Sequence, residues 1–361
     1  MRWNPPPHPS TYRWRRPRPT RDPAAGVDHF HSEVAVTSTR TTTSDRTRRL
    51  TRVPLLAVAT AAVLAATSLT AMPSASAASF NLEGWATQGG GTSGGGSASP
   101  VTVTDSAGLI SNMQASGARV IRFSGTISIS GMQKVTANKT IIGVGSGATI
   151  TGGGLNVASV SNVIIRNINF RNWADDAINV QYSTRVWIDH NSFSNGYDGA
   201  VDIKRSSDYV TVSWNRVFSH DKSFLLGHSD SNSGEDVGRL RVSYHHNWFD
   251  GSNQRHPRVR FGNPVHVYNN FYRGNGGYGV ASTCNAGVLV EGNYFENVSD
   301  PYHRGEGSSP VGGLVARNNH LVNSGAGQTG GSVNSIPYGY SLDPAANVKS
   351  IVTGGAGTGR I

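Results

Sequence analysis

Residues 254 to 262 read QRHPRVRFG, which sets Arg255, Arg258 and Arg260 about Pro257 with no carboxylate among them. Guanidinium groups stay protonated under ordinary conditions and repel one another, so three in one loop ask for an anion opposite. Lys222, in HDKS, adds another cation, and upstream of it Asp176, Asp198 and Asp202 stand in ADDA and YDGAVD. Hard oxygen ligands with no competing cysteine nearby point to Ca²⁺. Asp198 and Asp202 are four apart, about 13 Å in a straight strand, too far for one ion whose bonds run roughly 2.3 to 2.6 Å. Gly199 is therefore expected to supply a bend between them. Taken singly, these groups would read as a solvated basic loop and turn-capping aspartates. They become a site only on a scaffold that brings them together.

That scaffold shows as internal repetition. VIIRNINF (163–170), VWIDHNSF (186–193), VTVSWNRVF (210–218), VSYHHNWF (242–249), VHVYNNFY (265–272), VLVEGNYF (288–295) and LVARNNHL (314–321) share one design, a short alternating β-branched run followed by asparagine. With Asn167, Asn191, Asn215, Asn247, Asn270, Asn293 and Asn319 as markers, the intervals are 24, 24, 32, 23, 23 and 26. The long interval holds HSDSNSGEDVG, a polar stretch that reads as an inserted loop. Short runs bounded by Gly, Ser, Asn and Asp argue for strands. A period near two dozen residues accommodates about three strands per coil, with coils stacked roughly 4.8 Å apart. The expected fold is all-β, a right-handed parallel β-helix (a solenoid) with an asparagine ladder along one corner. A leucine-rich-repeat solenoid is the rival, but its leucine consensus is missing. TDSAGLISNMQASG (104–117) offers Asp105 or Ser106 as N-cap and Leu109, Ile110 and Met113 at helical spacing, so a short N-terminal helix should cap the open end.

Stacking converts offsets into columns. From the marker asparagine of each coil, Asp176 lies at +9, Asp198 and Asp202 at +7 and +11, Lys222 at +7, and Arg255 and Arg260 at +8 and +13. Four consecutive coils thus present acids at one end and bases at the other, within roughly 15 Å along the axis.

The 361 residues carry a net charge of +10, but residues 1 to 52 hold eleven of the 32 basic and four of the 22 acidic residues. Removing the leader leaves about +3, which argues against a nucleic-acid binder. Residues 1–46 are expected to be a leader or misassigned start that cannot bury a core. Residues 47–77, with TRRLTRV, an apolar run and Ala75-Ser76-Ala77, match a secretory signal peptide. Residues 78–361 are expected to form the β-helix domain that carries these groups, stabilised without an intrachain disulfide because Cys284 is the lone cysteine.

The segments NKTIIGVGSGATITGGGL, VWIDHNSF, DGAVDIKRSSDYVTVSWNRVFSHDKSFLLG and RHPRVRFGNPVHVYNN resemble the signatures of the extracellular pectate lyases of the parallel β-helix type, over most of residues 80 to 340. The resemblance implies Ca²⁺-dependent β-elimination of polygalacturonate. Arg255, opening R-x-P-x-x-R, would be the base, while Arg260 and Lys222 would bind substrate. Asp198 and Asp202 match paired calcium ligands. The remaining ligand segment, usually D-x-D, reads Ala174-Asp175-Asp176, so Asp176 matches its second acid and Asp175 is a possible substitute for the first. The expected partner is this acidic polysaccharide, with no nucleic acid and, after signal cleavage, no membrane. A secreted monomer is expected.

The chemistry fits the residues. Loss of the proton beside a sugar carboxylate builds an enolate-like charge that cations opposite would stabilise. An arginine base needs its protonated form disfavoured, and crowded cations do that. A polygalacturonase-type hydrolase would need paired carboxylates as acid and base and leaves the cation column without a purpose. A pectin lyase, acting on methyl-esterified polymer, tends to replace the calcium acids with basic residues. A non-catalytic binding solenoid would need stacking aromatics, but Trp187, Trp214 and Trp248 lie within the strand repeats as packing residues.

Overall fold

The computed structural model describes residues 81–361; the leader and signal peptide expected at 1–77 lie outside the described residues. Three parallel sheets of ten, nine and eight strands, here A, B and C, make up the body, and each strand pairs with its counterparts one coil before and one coil after. Three short strands per coil is the expected parallel β-helix.

The alternation that marks each strand fills the interior. In sheet C, Val157, Val180, Ile203 and Leu226 stack in register, and all are fully buried. In sheet B, Phe170 lies against Phe193 at 5.2 Å and Tyr272 against Phe295 at 4.2 Å, ring over ring. Such columns arise because a parallel register places each inward side chain above its counterpart, so like residues stack along the axis.

The asparagine ladder exists, with one correction. Asn191, Asn215, Asn247, Asn270 and Asn293 each donate from Nδ2 to Oδ1 of the next ladder asparagine at 3.0–3.1 Å, ending at Asn319. Asn167 is not a rung. The register sets Arg166 opposite Asp189, so the rung position of that coil is Ile168, whose N–H donates to Asn191 Oδ1. Asn167 instead takes a left-handed φ of 62° and donates to Gly143 O and Gly145 O.

The capping helix forms at Ser106–Gln114, with Asp105 as N-cap accepting from Gly108 N–H at 2.7 Å. It lays Leu109 and Met113 over the first coil, where both are buried. Before it, the N-terminal segment docks on sheet A: Trp85 and Ala86 donate backbone N–H groups to Ser243 Oγ and Thr211 Oγ1. The expected packing role of the tryptophans holds, since Trp187 and Trp214 are buried and Arg216 stacks over Trp248 at 4.2 Å. His190, His245 and His246 are buried hydrogen-bonded residues at the end of the sheet A strands, apart from the cation column. Among the described residues no helix is long and apolar enough to cross a membrane.

Candidate active site

Sheet C carries the chemistry-bearing residues. Strands Ile178–Gln181, Val201–Lys204, Phe224–Leu226 and Arg258–Arg260 lie side by side, with Asn179, Asp202, Leu225 and Arg258 in register. Val201 and Ile203 point into the core, so Asp202 and Lys204, two apart, project together from the outer face. The turns entering these strands stack too. Asp198 N–H donates to Asp175 O, Gly199 N–H to Asp176 Oδ1 at 3.1 Å, Ala200 N–H to Lys222 O, and Lys222 bridges Gln254 beside Arg255. Acids and bases expected on one flank are therefore neighbours in space.

Their contacts sort the cations by how firmly each is tied. Arg258 donates to Ser309 Oγ at 2.7 Å and to Glu306 O, and Arg260 donates to Asp230 Oδ1 at 2.6 Å and to Gly227 O. Lys222 pairs with Asp198 at 3.1 Å. Arg255, at a left-handed φ of 64°, makes no side-chain hydrogen bond; its Nη1 stands 3.8 Å from Asp198 Oδ1 and its buried Nε has no partner. Of the three arginines in QRHPRVRFG it alone is held loosely, with its side chain 20 % exposed.

Two participants were not foreseen. Lys204 inserts its ammonium between Asp176 and Asp202, 2.9 Å from one carboxylate and 3.2 Å from the other. Its position two residues after Asp202 is a same-face signal that strand alternation carries. Asp230, from the inserted loop, accepts from both Arg260 and Ser309, and no sequence pattern announces it. Hydrogen bonds from Arg260 and Ser309 outweigh the effect of burial and pull the Asp230 carboxyl down to about 2.

Whether the acids suit a metal can be tested on their surroundings. Among the described residues no three His, Cys, Asp or Glu side chains converge on a single point. Among these oxygens stands the Lys204 ammonium. Burial, followed by repulsion from Asp176, pushes the Asp202 carboxyl up to about 7, and burial likewise raises Asp176. Asp202 Oδ1 is buried without a hydrogen-bond partner. Burial alone would lower the Lys204 ammonium, but Asp202 and Asp176 outweigh it and raise its pKa. A hard dication is what this cluster of carboxylate oxygens fits. Asp175 is exposed at the rim, adding its negative charge to the field on Asp176.

Gly199 does not act as expected. Its φ is outside the left-handed region, and the chain bends at Tyr197 and Asp198 instead. The glycine is needed for clearance: a Cβ there would lie 2.0 Å from Asp202 Oδ1 and 3.1 Å from Asp176 Oδ1. Gly199→Ala is thus predicted to fold, since its backbone is unstrained, yet to crowd Asp202 and Asp176, so that a divalent cation held by these carboxylates would bind at least about tenfold more weakly. A calcium titration of the variant's rate checks this, and an unchanged midpoint refutes it.

The loop around Arg255 is braced by His256, fully buried, whose Nδ1 faces Tyr278 O at 2.7 Å and whose Nε2 faces Ser252 Oγ at 2.9 Å. Burial lowers its pKa from 6.5 to about 3. The unfolded chain therefore binds this proton first as pH falls, and His256 drains stability by up to about 1.4 kcal/mol per pH unit between its unfolded and folded pKa values. Denaturant unfolding between pH 7 and 4.5 should show a shallower acid slope for His256→Gln than for wild type; parallel slopes would contradict it.

A parallel β-helix that sets a cation column beside an acid cluster marks a class of protein equipped to engage an anionic polymer. Comparison gives the class its name. Residues 53–361 match the pectate lyase family model, and the chain belongs to that family. It is 37% identical over 306 residues to a pectate trisaccharide-lyase of Bacillus licheniformis, covering 79% of this chain and 88% of the relative. To pectate lyase A of Emericella nidulans it is 38% identical over 266 residues, covering 71% and 80%. Among solved structures, a pectate lyase from Bacillus sp. N165 in complex with trigalacturonate superposes with a TM-score of 0.72 at 30% identity, over 78% of this chain and 99% of the other. The protein is a polysaccharide lyase that cleaves pectate.

Proposed function

We propose that cleavage proceeds by Ca²⁺-dependent β-elimination on de-esterified polygalacturonate, with Arg255 as the base. The observation that carries this reading is the contrast among the three arginines: Arg258 and Arg260 are anchored by hydrogen bonds, and Arg255 has none. Asp176, Asp198 and Asp202, with Asp175 at the rim, would hold Ca²⁺, which when bound supplies charge opposite the substrate carboxylate. Lys222 and Arg260 bind substrate carboxylates and hold the sugar acid in place. Arg255 takes the C5 proton, the C5–H electrons form the C4=C5 double bond, and the C4–O bond breaks, its oxygen taking a proton from water. In the structure Asp198 is the counter-ion that Lys222 and Arg255 share. With the aspartates holding a cation, Asp198 would no longer serve Arg255 as a counter-ion.

The test is ultraviolet absorbance on polygalacturonate at alkaline pH, with calcium and with excess chelator. A rise abolished by chelator is expected, from 4,5-unsaturated oligogalacturonides. New reducing ends without absorbance would mean hydrolysis, and chelator-resistant activity confined to methyl-esterified pectin would mean a pectin lyase. Either overturns the reading. We place the enzyme outside the cell as a monomer after cleavage at Ala77, which N-terminal sequencing and light scattering of the secreted protein check.

A further inference from the structure

The inserted loop at 228–238 interrupts the repeat, yet it is anchored to the coils on both sides. Its foot is rooted by Asp236, fully buried, whose Oδ1 accepts from Ser206 N–H and whose Oδ2 accepts from Asn232 Nδ2, each at 2.9 Å. Ser206 Oγ donates in turn to Glu235 O at 2.7 Å. From that root the loop brings Asp230 to the strand Arg258–Arg260 of the next coil. Asp230 Oδ1 accepts from Arg260 Nε at 2.6 Å, and Gly227 O accepts from Arg260 Nη1 at 3.2 Å. Asp230 Oδ2 accepts from Ser309 Oγ at 2.7 Å, and the same hydroxyl oxygen accepts from Arg258 Nη2 at 2.7 Å. Val259, between the two arginines, is fully buried, so both of their side chains leave the strand on its outer face. One carboxylate therefore holds one guanidinium directly and the other through a buried serine.

A guanidinium binds a carboxylate through a rigid planar fork, so the edge it presents decides what it can hold. With Nε and Nη1 engaged, no hydrogen bond among the described residues reaches Arg260 Nη2. We propose that Asp230 is a positioning residue of the inserted loop: it takes the Nε edge of Arg260 and leaves the Nη2 end ready for a carboxylate of the acidic polymer. The inference rests on the reading of Arg260 as a substrate-binding residue. Two effects of Asp230 oppose each other. Its charge repels an incoming carboxylate, whereas its hydrogen bond orders a long side chain before substrate arrives. The Asp230 side chain is 36% exposed, so water and salt screen the repulsion, and the ordering of Arg260 is the larger effect.

The test is steady-state kinetics on polygalacturonate, with the melting temperature of each variant measured alongside. Asp230→Ala should raise KM at least about fivefold while kcat stays within about threefold of wild type. Asp230→Asn keeps an acceptor for Arg260 Nε and drops the charge, so its KM should be at or below that of wild type; it also guards against loss of folding in the alanine variant. In an Arg260→Ala background, Asp230→Ala should change KM by less than about twofold, because the group it positions is gone. If both Asp230 variants lower KM alike, only the charge matters and the positioning role fails. A KM for Asp230→Asn raised as far as that of the alanine variant overturns the proposal too, as do alanine changes at 230 and 260 whose effects multiply, since Asp230 would then act apart from Arg260. If Arg260→Ala raises KM and Asp230→Ala does not, the proposal alone falls. If Arg260→Ala leaves KM at the wild-type value, the substrate-binding reading of Arg260 fails and the proposal with it.

Discussion

Arg255→Ala is expected to lower kcat on polygalacturonate by about a thousandfold, in the range general-base removal produces, while KM moves by less than about tenfold. The asymmetry follows from what each cation touches. Arg260 is fixed by Asp230 and Gly227 O, and Arg258 by Ser309 and Glu306 O, so neither is free to move to the proton in place of Arg255. Arg255 has only a 3.8 Å ion pair to Asp198 and stands at a left-handed φ of 64°. Arg255→Lys separates base from bystander. It keeps the positive charge but loses the guanidine, so a drop in kcat of at least about a hundredfold is expected if the group takes the proton. A lysine variant with near wild-type kcat would show that the charge alone matters. Arg260→Ala should instead act mainly on KM, because its proposed role is to hold a substrate carboxylate before and during the reaction alike. If Arg260→Ala loses more kcat than Arg255→Ala, the roles are reversed.

Much of this arrangement was legible in the chain because a β-helix turns spacing into position. Repeat spacing brought Asp176, Asp198, Asp202, Lys222, Arg255 and Arg260 to one flank, since every coil advances the backbone by the same step. The limits are equally physical. Asn167 was misread as a rung because IRNIN offers asparagine at 167 and 169 on either side of the rung position, and only the pairing of Arg166 with Asp189 decides between them. Gly199 looked like a bend because a glycine needed for φ and one needed for clearance are the same letter, and the carboxylate 2.0 Å from its missing Cβ comes from elsewhere in the folded turn. Lys204 was passed over, although strand alternation puts it on the same face as Asp202, and its contact with Asp176 is made across coils. Asp230 was hidden further, since an inserted loop follows no repeat and its contact with Arg260 exists only after the loop folds back. Periodic residues could be placed from sequence; aperiodic ones required the structure.

The scaffold itself makes the second large prediction. Asn247 is a fully buried interior rung: its Oδ1 accepts from Asn215 N–H at 3.1 Å and from Asn215 Nδ2 at 3.0 Å, and its Nδ2 donates to Val212 O and Asn270 Oδ1. Asn247→Ala removes all four bonds and strands the two Asn215 donors away from water, while Val212 O loses a partner and Asn270 Oδ1 keeps only the residue 247 N–H. At about 1 to 3 kcal/mol for each orphaned buried group, partly relieved by local relaxation, a loss of roughly 3 to 5 kcal/mol is expected. For a domain of this size that is a fall in Tm of about 5 to 8 °C. Asn319 is the informative comparison, because it ends the ladder: it accepts from Asn293 and donates to Val290 O, is only half-buried, and has no asparagine beyond it. Asn319→Ala should cost less than half as much, since fewer groups are orphaned and water reaches them. Equal costs, or a loss below about 1 kcal/mol at Asn247, would mean that the stacked hydrophobic columns hold the coils without the ladder. Well below its lowered Tm, Asn247→Ala should keep kcat close to wild type, because the rungs lie where sheet A strands give way to sheet B while the acids and Arg255 sit at sheet C. Stability and catalysis then separate by position around the coil: one corner ties the turns of the solenoid together, and another is free to carry a charge arrangement that would not be tolerated in the core.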